Sequence, residues 1–305
     1  MKKIFLAGLA AGFQTTWTLG KVIFPVTLLV TLLQHTPVMD WLVRLITSVM
    51  SLFGLSGEAA IPLVLGNMLN LYAGIAGILT LDLSVKEVFI LAVMLSFCHN
   101  LIIESTVAAK VGIRIGVILA VRIGLAAVSA IVINLIWHGG QETAQYGFIA
   151  AKSAAPDSWL GMLAEALTKA GLGVLQLAAI VIPLMIIIQF LRDLGWLHRF
   201  SRWLSPFTQL LGMNKNTSMT MVAGLTIGLA YGAGVMIKAV EDDGVSRRDM
   251  TLAFIFLEDT LVFIPLGIPV WPLLLIHVTT AVLLTRAIAH TWKKWKPSAV
   301  GKEAI

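Results

Sequence analysis

The chain carries a duplicated pattern, because prolines, glycines and apolar residues of its first half recur in its second half at one fixed offset of 158 residues. The matched pairs are Pro25 and Pro183, Leu52 and Leu210, Gly54 and Gly212, Val64 and Val222, Gly66 and Gly224, and Gly74 and Gly232. Each copy reads as an apolar stretch with a proline, then an aromatic-rich amphipathic stretch, then a glycine-rich apolar segment. A duplicated unit of this kind is the layout of many membrane transporters. The chain is therefore predicted to fold as two related halves.

The composition places both halves in a membrane. Of the 305 residues, 58% are hydrophobic and only 12% are charged, whereas soluble domains have about 25% charged residues. The single cysteine, Cys98, excludes an internal disulfide and a cysteine-rich metal site. The net charge of +6 is expected to set orientation in the membrane. No nucleic-acid partner is expected; the expected partners are the lipid bilayer and a small solute or ion, and a homo-oligomer stays open.

Six apolar segments have the roughly 20 residues that a membrane-spanning helix needs. They cover about 6–33, 87–108, 112–137, 171–192, 249–267 and 269–291. Two further segments, 57–80 and 217–240, are interrupted by glycine, proline and polar residues. Each is either a kinked spanning helix or two short helices that fold back as a re-entrant hairpin.

The distribution of basic residues favours two hairpins. If both interrupted segments are hairpins and the N-terminus is cytoplasmic, fifteen of the 22 lysines and arginines lie inside, four lie outside and three lie within spans. If both segments cross the membrane, the division is twelve inside and seven outside. The positive-inside rule therefore favours hairpins with both chain termini in the cytoplasm. The expected location is the cytoplasmic (inner) membrane of a bacterium or archaeon.

Three crossings per copy would make the second copy inverted relative to the first. The predicted fold is an all-α integral membrane protein with two inverted repeats, each having one span, one amphipathic interfacial helix, one re-entrant or broken hairpin and two more spans. The amphipathic stretches are 38–53 and 196–211. The predicted boundaries are membrane repeat 1 at 1–137, a linker at 138–168, membrane repeat 2 at 169–297 and a disordered tail at 298–305.

Polar residues within the predicted spans are the candidates for function, because ionisable groups are costly there. Ser96, Asn100 and Glu104 are spaced to form one polar stripe on a helix, with His99 beside it. At the corresponding place in the second copy, after a slip of about one residue, stand Glu258 and Asp259. Two alternatives remain: Glu104 lies near a helix end and reaches the interface, and Glu258 and Asp259 pair internally, for instance with Arg122 or His99.

The hairpins would supply the other half of a binding site. Backbone unwound at glycine and asparagine exposes carbonyl and N–H groups, and Asn67, Asn70 and Thr226 add side-chain ligands. Carboxylate and imidazole suit divalent metals, so His99, Glu104, Glu258 and Asp259 are candidate metal ligands. No resident cofactor is expected, and the coupling ion would be Na⁺, H⁺ or a divalent cation.

The paired segments GEAAIPLVLGNMLNLYAGIAG and MTMVAGLTIGLAYGAGVM, each after a proline-containing span and an amphipathic stretch, resemble the Gate domains of the nucleoside-recognition superfamily. That superfamily includes the membrane domain of ferrous-iron transporter B, spore maturation proteins A and B, and relatives of concentrative nucleoside transporters. The resemblance implies a helical transporter core with two inverted hairpin repeats. The iron transporters have a cysteine in the first interrupted segment and a GTPase domain. This chain has Gly66 and Asn67 there and no GxxxxGK[ST] loop, so nucleotide-driven iron transport by this chain alone is not expected.

Three classes of function follow. The first is a secondary, ion-coupled transporter that moves a small polar solute or a cation between the hairpins and the acidic helices, with a divalent-metal permease lacking its own GTPase as one form. The second is a membrane assembly or signalling subunit that transports nothing. The third, an intramembrane enzyme, is not expected, because the chain has no GxSxG motif and His99 and Glu104 do not have metalloprotease spacing.

Overall fold

The computed structural model describes residues 1–145, 158–224, 236, 244–256, 263, 266 and 270–292. Within these residues the structure is helical, apart from connections and one isolated antiparallel bridge between Ser84 and Thr143. Five helical stretches are long and apolar enough to cross a membrane: Lys2–Leu33, Val85–Lys110, Ile115–Ile136, Trp159–Leu191 and Trp271–His290. The predicted all-helical membrane class is confirmed. The sixth predicted span, 249–267, lies partly outside the described residues.

The α-helices follow one another along the chain, most of them joined by short connections. They are α1 (Lys2–Gln34), α2 (Pro37–Leu52), α3 (Ala60–Met68), α4 (Leu71–Leu79), α5 (Val85–Phe97), α6 (Leu101–Lys110), α7 (Ile115–Ile136), α8 (Trp159–Asp193), α9 (Trp196–Leu210), α10 (Arg247–Phe256) and α11 (Val270–Trp292). The two predicted amphipathic stretches are helices, α2 and α9. Residues 217–224 are also helical. The rest of 217–240, apart from Met236, lies outside the described residues, and Thr226 lies there.

The first interrupted segment is a hairpin of two short helices. Helices α3 and α4 have nine residues each, so each rises about 14 Å, less than half of the ~30 Å hydrocarbon core. They pack antiparallel: a Cβ on Gly74 would lie 3.0 Å from Gly66 Cα, and one on Gly77 would lie 3.1 Å from Pro62 Cα. Glycine at these facing positions lets the two backbones approach closely. For residues 57–80 the kinked spanning helix is therefore excluded.

The longest helices, α1 and α8, pack against each other in antiparallel orientation. A Cβ on Gly8 would lie 2.7 Å from Ile186 Cα, and one on Gly12 would lie 2.9 Å from Ile182 Cα. Two glycines four residues apart on one helix face are a common way to bring membrane helices into close contact. The glycines thus fix the pairing of the first helix with the proline-containing helix of the second half.

Helix α8 begins earlier than the predicted span. It starts at Trp159, inside the stretch 138–168 that is predicted as a linker. A contact supports this extension: Glu165 lies 2.9 Å from Lys169 one turn later. The other oxygen of Glu165 lies 3.3 Å from His35 near the end of α1. The predicted span begins later than the helix because the first turns contain the charged residues Glu165 and Lys169.

Helix α5 is the central helix of the described core. Every residue from Val88 to Phe97 is buried, as expected of a helix that is apolar on all sides. Its start is fixed by a capping box, in which Ser84 Oγ accepts from the backbone N–H of Glu87 and the Glu87 carboxylate accepts from Ser84 N at 2.9 Å. Local hydrogen bonds thus fix where α5 begins.

Candidate functional site

The apolar span Val85–Lys110 is broken near its middle, between α5 and α6. Cys98 is extended, and Asn100 is left-handed with φ +51° and ψ 35°. Asparagine is one of the few residues with a Cβ that adopts this conformation at small cost. The prediction that Ser96, Asn100 and Glu104 form one stripe on a continuous helix is therefore wrong. Nearby polar side chains stabilise the break. Hydropathy alone does not detect a break of this kind.

Two side chains bind carbonyl groups that the break leaves without helical partners. His99 Nδ1 lies 2.7 Å from Leu95 O, and Arg122 Nε of α7 donates to Phe97 O at 2.9 Å. A cation at the C-terminal end of α5 also complements the helix dipole. These contacts stabilise the C-terminal end of α5 within the span.

The tip of the hairpin contacts the break. Asn100 N donates to Gly66 O in the last turn of α3 at 2.8 Å, and Cys98 Sγ donates to Asn67 Oδ1 at 3.0 Å. Asn70 caps α4, because its Oδ1 accepts at 2.9 Å from the backbone N–H three residues later. Ends of the four helices α3, α4, α5 and α6 thus converge on residues 67–70 and 98–100. We call these two segments the junction.

A buried ion pair lies beside the junction. Glu104 in the first turn of α6 contacts the guanidinium of Arg122, and its Oε1 lies 3.2 Å from His99 Nε2. Glu104, Arg122 and His99 are 2%, 3% and 4% exposed. The alternative in which Glu104 reaches the interface is therefore wrong. The sequence suggested Arg122 as a partner for Glu258 or Asp259, but its described acidic partner is Glu104.

Helix α11 of the second half also reaches the end of α5. Ser96 Oγ donates to Val93 O at 2.7 Å and therefore accepts from His277 Nε2. The His277 ring meets the Phe97 ring edge-on, with centroids 4.8 Å apart. His277 is 3% exposed. The polar end of α5 is thus in contact with both halves of the chain.

The Asn100 side chain is available to a ligand. It is 9% exposed and forms no hydrogen bond with any residue that the structure describes. Asn67, by contrast, uses its amide locally, donating from Nδ2 to Leu63 O at 2.8 Å. An amide can both donate and accept, so a polar ligand at the junction could form a hydrogen bond with Asn100.

A family model described as "Gate: Nucleoside recognition" matches residues 16–117 and 174–279, well over half of the chain. The chain belongs to the Gate family. The two matched segments begin 158 residues apart, which is the offset of the repeated residues, and this agreement supports the duplication.

A Bacillus subtilis (strain 168) relative is described as the membrane protein YvoD. It is 95% identical over 312 aligned residues, and the alignment covers 100% of both chains. No solved structure matches this Gate-family chain. The family and the relative agree with the apolar spans in assigning the chain to a membrane.

The predicted site residues divide into two groups. Within one helical turn of the junction, or in it, lie Asn67, Asn70, Ser96, His99, Asn100 and Glu104. Thr226, Glu258 and Asp259 lie outside the described residues, so their roles stay predictions. Arg122 and His277 are not among the predicted site residues, although each is an ionisable residue within an apolar span, which is the signal that marks such a site.

The described residues give the metal hypothesis no support. Among them no group of three or more His, Cys, Asp or Glu side chains could hold a metal ion. The Arg122 guanidinium neutralises the charge by which Glu104 would attract a cation. In the described part of the chain His99 and Arg122 both contact Glu104, and a role of His99 and Glu104 as metal ligands stays a prediction. A metal ion at Glu258 and Asp259 stays a prediction.

A separate groove between α7 and α11 has a volume of about 610 Å³. Its lining is almost wholly apolar and includes Val132, Trp137, Leu275 and Ile276. A small polar solute would gain few hydrogen bonds there. The groove suits lipid chains, and the junction is the better candidate for a polar ligand.

Proposed function

We propose that this Gate-family protein is a secondary, ion-coupled transporter that binds a small polar solute at the junction. The observation that carries the proposal is the meeting of two interrupted elements, the α3–α4 hairpin and the α5–α6 break. The break lies near the middle of a 26-residue span. Irregular backbone at that depth is tolerated where it is buried in protein or lines a polar cavity, and many transporters bind their substrates at such helix ends.

The charges of the described residues favour a polar solute without a large net charge. Glu104 and Arg122 compensate each other, and Asn100 offers a neutral amide. An amide can both donate and accept hydrogen bonds, which suits hydroxyl, carbonyl and ring nitrogen groups. Because the family description names nucleoside recognition, nucleosides are the first solutes to test.

Uptake of tritiated uridine into proteoliposomes tests this proposal. The variant Asn100→Gly removes the amide and keeps a residue that tolerates positive φ, so it separates ligand binding from folding. We expect uptake to fall about tenfold, the effect of losing one good hydrogen bond, with an unchanged unfolding temperature. The exposed loop residue Asn216 provides the matched control, Asn216→Gly.

Three results would separate the alternatives. Unchanged uptake in Asn100→Gly would remove the junction from the transport pathway. If the wild-type protein takes up uridine poorly but is stabilised by a divalent metal ion in a thermal-shift screen, the permease alternative is favoured. If the wild-type protein moves no solute and co-purifies with a fixed partner, an assembly or signalling subunit is favoured.

The inverted arrangement of the two halves belongs to the same proposal and has its own test. In a Cys98→Ser background, single cysteines replace Arg44 of α2 and Arg202 of α9, which are both exposed. Inverted repeats predict that a membrane-impermeant maleimide labels position 44 on intact cells and labels position 202 only after the cells are opened. Labelling of both positions from the same side would contradict inversion.

A further inference from the structure

We propose that His99 and Glu104 share a bound proton and that this proton is the coupling ion of transport. The bound proton is inferred from the geometry alone, whereas its role in coupling rests on the proposed function. The inference narrows the coupling ion from Na⁺, H⁺ or a divalent cation to H⁺.

The first step is the position of the hydrogen on the His99 ring. Nδ1 lies 2.7 Å from Leu95 O, and a carbonyl oxygen can only accept a hydrogen bond. Nδ1 must therefore carry a hydrogen. In a neutral ring with Nδ1–H, the other nitrogen, Nε2, has a lone pair and no hydrogen.

The second step is the group that faces Nε2. Glu104 Oε1 lies 3.2 Å away, and an ionised carboxylate is also only an acceptor. Two acceptors at this distance repel each other unless a proton lies between them. One added proton resolves the conflict, because it gives either an imidazolium beside a carboxylate or a neutral imidazole beside a carboxylic acid. Its release returns the neutral ring and the carboxylate, and no other bond changes.

The third step is the charge around the pair. Helices α3, α7 and α10 pack against α6. Helix α3 has no acidic or basic residue, and the one charged residue of α7 is Arg122, which contacts the other oxygen of Glu104. At the start of α10, Arg248 and Asp249 pair at 3.0 Å. Among the described residues, the remaining titratable groups on these helices, just after α5 and on the contacting part of α11 are Lys110, Arg247, Cys98 and His277. Glu258 and Asp259 lie outside the described residues.

The proton therefore changes the net charge of the cluster. His99, Glu104 and Arg122 together carry a charge of about zero without the proton and one positive charge with it. A buried net charge within a membrane protein is costly unless a partner compensates it. Binding and release of the proton therefore change the relative stability of the conformations that surround the cluster. A proton can be coupled to a conformational change only if it has such a differential effect.

Nitrogen-15 NMR of histidine-labelled protein in nanodiscs tests the bound proton. We expect His99, identified by loss of its signal in His99→Gln, to carry a hydrogen on Nδ1. We also expect either a second hydrogen on Nε2 or a protonated-carboxyl infrared band that is lost in Glu104→Gln. His277 is an internal comparison, since its bond to Ser96 requires a hydrogen on Nε2. A neutral His99 ring with its only hydrogen on Nε2, or a neutral ring beside an ionised Glu104, would overturn the proposal, and both outcomes can be seen in the wild-type protein.

Uridine uptake under a pH gradient tests the coupling. One pH unit, acidic outside, can drive about tenfold accumulation; we expect this in the wild-type protein and its loss in Glu104→Gln. The matched control is Glu165→Gln, because Glu165 is also beside a histidine, His35, but lies away from the junction. Uptake that ignores the gradient overturns the coupling and leaves transport intact. If the wild-type protein takes up no uridine, both the coupling and the proposed function are overturned. The spectra show independently whether His99 and Glu104 hold a proton.

Discussion

The replacement Arg122→Gln tests whether the buried ion pair beside the junction is a coupled unit. Arg122 is 3% exposed, binds Phe97 O at 2.9 Å and contacts Glu104. Removing one partner of a buried pair costs about 3–5 kcal/mol when the remaining charge has no other partner. The proton proposed on His99 and Glu104 would lower this cost for Arg122→Gln, because those two residues together are neutral with the proton bound. Glu104→Gln should cost the full amount, because it leaves the guanidinium uncompensated. The double variant leaves neither charge, so its cost should be smaller than the sum of the single costs by about 2–3 kcal/mol.

Reversible unfolding by sodium dodecyl sulfate in mixed micelles measures this double-mutant cycle. The control cycle uses Glu165→Gln and Lys169→Gln, since this pair is also close, at 2.9 Å, but is partly exposed at 16% and 28%. An exposed helical pair of this kind has a coupling energy of about 0.3–0.5 kcal/mol. A coupling energy between Arg122 and Glu104 that is no larger than the control would refute the reasoning that this buried pair acts as a unit.

Three further predictions concern the helix contacts, each measured by the same unfolding assay. Gly74→Ala should cost about 1–3 kcal/mol, because its Cβ would lie 3.0 Å from the backbone of α3. Gly124→Ala should cost nothing, since no packing neighbour in the described part of the chain lies within 4 Å of its Cβ. Gly12→Ala should also cost about 1–3 kcal/mol, because its Cβ would lie 2.9 Å from the backbone of α8. Gly171→Ala is its matched control. Equal effects in a variant and its control would contradict close packing at that glycine. Ser84→Ala should cost about 1 kcal/mol through loss of the capping box, and a neutral effect would show that the α5 start is held by other contacts.

The sequence predicts the helical elements because the membrane imposes a simple rule on them. Long apolar segments must satisfy their backbone hydrogen bonds internally, so α1, α7 and α11 follow from hydropathy. The glycine and asparagine residues of 57–80 leave a kinked helix and a hairpin both open, and the distribution of basic residues favours the hairpin. In the structure the glycines form the α3–α4 contact and Asn70 caps α4.

The break between α5 and α6 could not be predicted in this way. An apolar segment with Asn100 reads as one helix, because the groups that stabilise the break belong to other segments. Arg122 lies 25 residues from the carbonyl that it binds, and Gly66 is on a separate helix. A sequence pattern identifies polar residues within a span but gives no information on which of them meet. The error over the Ser96–Asn100–Glu104 stripe has this cause.

The two halves of the chain differ in the charged residues that stand at corresponding positions. At the repeat offset, the position of Arg122 corresponds to Thr280, and a one-residue slip gives Ala281, so the second half lacks an equivalent arginine. The second half has Glu258 and Asp259 where the first has His99 and Asn100. The first half therefore compensates its own carboxylate, whereas the acidic pair of the second half requires positive charge from another source. A protonated His99–Glu104–Arg122 cluster carries one positive charge, so we expect protonation of the first half to be favoured when the acidic pair is close and ionised. Glu258→Gln and Asp259→Asn should then weaken the dependence of uptake on the pH gradient, and gradient dependence that persists in both variants would show that the two halves are not electrostatically coupled.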